Sequence, residues 1–236
     1  MSQITPPAAG LASRWSCIPP TLLLLCAMAL PLRAQAQDAL PFAKSYAVTG
    51  NYAVGSVDLA PASRGNGFST GTLPIAGVPA DAEILAAFLY WETISTDFSQ
   101  VDGARFRGEP LTVVKATSRP LTGAAAVCAP PVKPGQSATL TMFRADVLRL
   151  LPPERDAAGR PTGRRVVNDA DLLRQGLPRH TVTLPESGTG NRIPQSAGAT
   201  LLVIYRDLTA PLTKILLFEG AHVLAPGAAM SQTIRG

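Results

Sequence analysis

From Ser45 onward the apolar positions fall in short runs, β-branched or aromatic in character, divided by clusters of Gly, Pro, Asn, Asp and Ser. That punctuation predicts strands and turns. Strands are expected near Ser45–Leu59, Gly71–Ile75, Glu83–Thr93, Ala104–Phe106, Thr112–Ala116, Ser137–Phe143, His180–Leu184, Ala199–Asp207, Lys214–Glu219 and Ala221–Leu224. Two runs, Ile84–Trp91 and Thr200–Tyr205, are apolar almost without alternation, the pattern of strands covered on both faces. The first has a competing helical reading, because Asp81 and Glu83 would sit in a first turn. Phe88, Tyr90 and Trp91, followed by Thr93 and Ile94, favour the strand.

Helical signal is confined to two short stretches. Ala145–Leu151 makes about two turns before Pro152 and Pro153, and Asn168–Arg174 makes another with Asn168 as its N-cap. Between them, Glu154–Arg165 carries Gly159, Pro161 and Gly163 and is expected to be a surface loop, as is Glu186–Ala197. The expected fold is all-β: an antiparallel β-sandwich, with jelly-roll connectivity as one option, plus one or two short helices.

The N-terminal segment follows a different pattern. Arg14, a twelve-residue apolar run from Thr21 to Leu32, and Ala34-Gln35-Ala36 read as a signal peptide over residues 1–36, cleaved between Ala36 and Gln37. A membrane span needs roughly 20 apolar residues, so the mature chain is expected to have none. Leu24-Leu25 before Cys26 and apolar residues after it do not suit a lipoprotein site. One domain, 37–236, is expected to follow. Met230–Gly236 reads as the start of a further strand, so the domain is expected either to continue past Gly236 or to close on a short edge strand. The implied location is outside the cytoplasm: periplasmic, extracellular or at the cell surface.

Removing that segment changes the chemistry available. Of 21 basic residues, Arg14 and Arg33 leave with it, so nineteen remain against sixteen acidic ones, a net charge of +3. Arg160–Arg165 is the one basic cluster, and a solvated loop accounts for it, so no nucleic-acid partner is expected. Cys17 and Cys26 also leave, and Cys128 alone cannot form an intramolecular disulfide.

Catalytic and metal signatures are sparse. His180 and His222 lack neighbours at zinc-ligand spacing, and there is no GxSxG elbow. Gly65–Gly67 and Gly188–Gly190 read as turns rather than phosphate cradles. Glycoside hydrolysis would need two flanking carboxylates, with Glu83, Glu92, Asp97 and Asp102 as candidates, although alternation puts Glu92 on the face opposite Trp91. No cofactor is expected. A calcium site from Asp97, Asp102 and loop carbonyls is chemically open, since that ion prefers hard oxygen ligands. Tyr46, Tyr52, Tyr90 and Trp91 are the aromatic residues considered for stacking on a sugar, with Tyr90 and Trp91 also placed to fill the core.

Ala87–Trp91 (AFLYW), Phe143–Leu148 (FRADVL), Ala197–Asp207 (AGATLLVIYRD) and Lys214–Gly220 (KILLFEG) occur in that order. Together they resemble a DUF3344-like group of exported bacterial and archaeal β-sandwich domains found near the N-termini of larger surface proteins. The resemblance covers most of Tyr46–Gly236 and rests on core and turn residues, so it implies fold and setting, not chemistry. The functional expectation is a non-catalytic exported or surface-displayed module for adhesion, binding or structural support, with extracellular polysaccharide or another surface protein as partner. The alternative is an extracellular carbohydrate-active enzyme or its carbohydrate-binding domain.

Overall fold

The two uninterrupted apolar runs become neighbouring strands at the centre of the molecule. In the computed structural model, β3 (Glu83–Ser95) and β11 (Gly198–Arg206) pair antiparallel, with Ala199 opposite Trp91 and Val203 opposite Ala87. The structure describes residues 40–59, 67–97, 102–122, 133–186, 192–224 and 229–234. The signal peptide with its Ala36–Gln37 junction, Cys128 and both glycine stretches except Gly67 lie outside these residues.

Around this pair the strands β1 (Phe42–Asp58), β6 (Val113–Pro120), β7 (Thr139–Asp146) and β12 (Leu212–Phe218) complete a sheet in the order β12-β1-β11-β3-β7-β6. A four-stranded sheet, β2-β10-β4-β5, is built from β2 (Phe68–Thr72), β4 (Arg105–Phe106), β5 (Glu109–Pro110) and β10 (Thr181–Pro185). The hairpin of β8 (Pro153–Arg155) and β9 (Pro161–Arg165) stands apart, and α1 (Asp169–Arg174) is the one α-helix among the described residues. All pairings among these strands are antiparallel, so the fold is an all-β, sandwich-like one. No helix among the described residues is long and apolar enough to cross a membrane.

One face of the large sheet carries the main core. Leu89, Trp91, Phe143, Leu201 and Val203 pack there with Phe106, Val182 and Leu184 of the small sheet, nearly all without exposed surface. Each such side chain contributes roughly 1.5–3 kcal/mol by leaving water. The opposite face has its own cluster, in which Ala86, Phe88, Leu202 and Ile204 meet Ile215 of β12. Period-2 alternation therefore sends both odd and even positions of β3 and β11 into apolar surroundings, which is why neither run alternates.

The second cluster exists because β1 doubles over. This seventeen-residue strand pairs through Gly50–Asp58 with β11 and through Phe42–Thr49 with β12. A straight strand rising about 3.3 Å per residue would hold Phe42 and Ser56 ~46 Å apart. Yet Glu219, which follows the partner of Phe42, is hydrogen-bonded to Tyr90, which is level with Ser56 through Thr200. The ribbon of β12 and the first half of β1 must therefore fold back across the large sheet. Gly50 marks the bend: a Cβ there would lie 2.2 Å from the carbonyl oxygen of Tyr205.

Three local expectations are corrected. Ala145–Leu151 is not a helix: β7 continues through Asp146, and only a 3-10 turn at Leu148–Leu150 follows. Ala145 and Val147 are both fully buried, so core packing imposes the strand's two-residue period. Glu154–Arg165 is a hairpin, β8–β9, whose turn is held by Asp156 accepting from the N–H groups of Ala158 and Arg160 at 2.9 Å. Ala221–Leu224 forms no strand, nor do the described residues 229–234 at the chain's end. Asn168 does precede α1, but its side chain is spent on Val78, accepting from its N–H at 3.1 Å and donating to its carbonyl at 2.7 Å.

Candidate functional site

Most of the buried polar chemistry closes on itself. His180 is fully buried, stacked on Phe106 at 5.5 Å. Arg107 donates from Nη1 to Pro178 O at 2.8 Å and stands 3.2 Å from His180 Nδ1, which must accept, so Nε2 carries the proton and donates to Val167 O at 2.9 Å. Burial holds the imidazole's pKa down at about 4, with Arg107 adding to the effect. This neutral histidine ties the small sheet to the segment before α1. Glu186, also buried, accepts from the N–H of Ser196 at 2.7 Å, and Ser196 meets Thr93 through their hydroxyls at 2.7 Å.

A second closed group pins the folded-back ribbon. Glu219 Oε1 accepts from Tyr90 Oη and from Arg144 Nη1, each at 2.6 Å. Glu219 is 4% exposed, and burial followed by the neighbouring carboxylate pushes the Tyr90 phenol well above its usual range. Arg144 also lies 5.1 Å over the ring of Phe88, and Lys44 of the ribbon covers the same ring at 6.0 Å.

Beyond this clamp the same face stays open. Ser56, Tyr90, Glu92, Met142 and Thr200 line a groove of about 360 Å³ that ends at Asp58. Register places them: Ser56 is opposite Thr200, Thr200 opposite Tyr90, and Glu92 opposite Met142. The hydroxyls of Ser56 and Thr200 are 3.0 Å apart. Asp58 is opposite Gly198, and the β11–β3 register puts Glu92 level with Gly198 on its other side. The two carboxylates therefore straddle a bare glycine. A Cβ at Gly198 would lie 2.7 Å from Val57 O, so the backbones of β1 and β11 approach closely there and leave no room for a side chain at this position. Glu92 keeps solvent contact by surface area, but the protein packed around it displaces enough water for burial to raise its pKa. Further along β1, on the same face, Val54 and Tyr52 are exposed, Tyr52 at 52%. From Tyr52 to Ser56 is about 13 Å of strand.

The residues singled out from sequence separate accordingly. Tyr52 is exposed and in line with the groove. Tyr46 is not the open platform expected: it packs against the ribbon's apolar cluster with its hydroxyl buried and unpaired, under the Lys44 ammonium at 5.0 Å. Trp91 fills the core, 3% exposed and stacked on Phe143 at 5.3 Å, with its indole N–H unpaired. Asp97 and Asp102 are exposed, and among the described residues no three His, Cys, Asp or Glu side chains converge as a metal would require. Glu83 is ion-paired with Arg206 at the far end of β3 from Glu92. Of the four carboxylates considered, only Glu92 reaches the groove. No local signal in the sequence marks its companion, Asp58, nor Ser56 and Thr200.

The fold thus defines the class as an all-β, antiparallel sandwich with an open groove on one sheet face. The chain matches no protein family, no curated protein and no solved structure at a significant level.

Proposed function

We propose that this chain is an exported, non-catalytic binding module whose ligand lies along the face of β1, β11 and β3. The observation that carries the reading is the alignment of an exposed aromatic ring, Tyr52, with a groove of hydroxyls and carboxylates at Ser56, Thr200, Asp58 and Glu92. An aromatic platform followed by convergent polar groups suits a chain of sugar rings, which offers apolar faces and hydroxyl edges together. The signal-like N-terminus and the resemblance to surface domains support an extracellular polysaccharide as partner.

A carbohydrate-active enzyme is the second reading, favoured by one feature: two carboxylates, Asp58 and Glu92, face a common gap. Both readings are tested on the exported protein, incubated with insoluble polysaccharides and assayed for co-sedimentation and for release of reducing ends. Co-sedimentation without release, weakened by Tyr52→Ala, is expected. Release that disappears in Glu92→Gln would establish the enzyme instead.

A further inference from the structure

We infer that the groove selects by charge, accepting neutral or amino-bearing polysaccharides and rejecting acidic ones. The inference rests on the reading that this groove is the ligand seat, and goes beyond it by naming the ligand's charge. Neighbouring strands lie about 4.8 Å apart, so the backbones of Asp58 and Glu92 stand about 10 Å apart across Gly198. Between them Gly198 brings no side chain, and the Ser56–Thr200 hydroxyl pair lines the same groove beside it. An ammonium entering the gap would meet carboxylates on both flanks and hydroxyl oxygens beside it. An anionic ring would meet two like charges.

The Arg144 guanidinium does not offset this. Arg144, opposite Tyr90, is spent on Glu219. Glu92 already stands where burial penalises its charge, and a cationic partner relieves that penalty while an anion deepens it. The hydroxyl pair and the Tyr52 platform favour a polysaccharide over a basic peptide, since neither feature is needed to hold a lysine side chain.

The test exploits the chain's overall charge. Without residues 1–36 the chain has a net charge of +3, so non-specific attraction alone would retain it best on an acidic polymer. Affinity electrophoresis of the exported protein through gels containing chitosan, a neutral β-glucan or polygalacturonate should give the opposite order, with chitosan strongest and polygalacturonate weakest. Asp58→Asn with Glu92→Gln should cut chitosan retention about tenfold and bring the chitosan-to-glucan retention ratio down toward one. Tyr52→Ala should weaken retention on chitosan and β-glucan alike. Strongest retention on polygalacturonate, a chitosan preference that survives the double amide substitution, or equal retention by a poly-lysine gel would overturn charge selection while leaving a binding module standing. Retention on none of the polysaccharides would instead remove the binding reading itself. The substituted residues are solvent-accessible, and matching unfolding midpoints would show that the variants remain folded.

Discussion

The clamp at Tyr90–Glu219–Arg144 and the groove at Ser56–Asp58–Glu92–Thr200 occupy the same face of the same sheet, yet they are opposites in how they treat polar groups. In the clamp, a buried carboxylate takes a phenol and a guanidinium at 2.6 Å each. In the groove, two carboxylates are separated by a glycine and face outward. What divides them is the folded-back ribbon, which covers one and stops short of the other. Under the ribbon the Glu219 carboxylate takes its partners from within the protein, whereas Asp58 and Glu92 beyond it are exposed to solvent.

If that contrast is right, the two regions should respond to mutation on different scales. Glu219→Ala removes the clamp's shared acceptor and leaves Arg144 largely buried without a counter-charge, so a loss of about 3–4 kcal/mol is expected in urea unfolding. A loss below about 1 kcal/mol would mean that the ribbon does not depend on the clamp. Acid should reveal the next largest effect, at the other buried polar group. His180 has a folded-state pKa of about 4 against an ordinary 6.5, so the unfolded chain binds its proton more readily. Stability from this residue is fully present above about pH 6.5 and is lost as pH falls toward 4, by about 3 kcal/mol in total. His180→Gln should flatten that part of the profile, and an unchanged slope would show that the histidine is not held neutral.

Gly50→Ala should follow at about 1–3 kcal/mol, since its Cβ meets a backbone oxygen that cannot move without disturbing the β1–β11 ladder. Thermal unfolding would measure it. The groove should respond least: Asp58→Asn and Glu92→Gln are each expected to change stability by less than about 0.5 kcal/mol. For Glu92→Gln the sign should be favourable at neutral pH, because burial disfavours the charged form and stability falls as pH rises through a raised carboxyl pKa. A cost of 2 kcal/mol or more for either would make the groove part of the scaffold.

How much of this was readable beforehand depended on whether the signal was local. The unbroken apolar runs Ile84–Trp91 and Thr200–Tyr205 announced doubly covered strands, and the structure supplies both covers. Alternation alone put Glu92 opposite the face of Trp91, and both residues lie where it placed them. The helical expectation for Ala145–Leu151 failed because Ala145 and Val147 are claimed by the core at strand spacing, a tertiary demand that overrides local propensity. The hairpin at Glu154–Arg165 was hidden by polar strands that bury almost nothing. Tyr46 resembled Tyr52 in sequence context, and only the fold-back at Gly50 separates them, turning one inward and leaving the other in solvent. The groove itself was illegible because Ser56 and Thr200 are 144 residues apart and meet only through strand register.

The doubling of β1 also sets an order of events. Both halves of this strand pair with β11 and β12, the last two strands among the described residues. Ribosomal synthesis delivers the N-terminal end first, so β1 waits with unpaired amides and carbonyls until its first partner, Gly198 opposite Asp58, arrives 140 residues later. Its apolar positions are exposed to neighbouring chains throughout that interval. Assembly of the large sheet is thereby a late, all-at-once step, in which the arrival of Leu212–Phe218 closes the fold at the strand where it began.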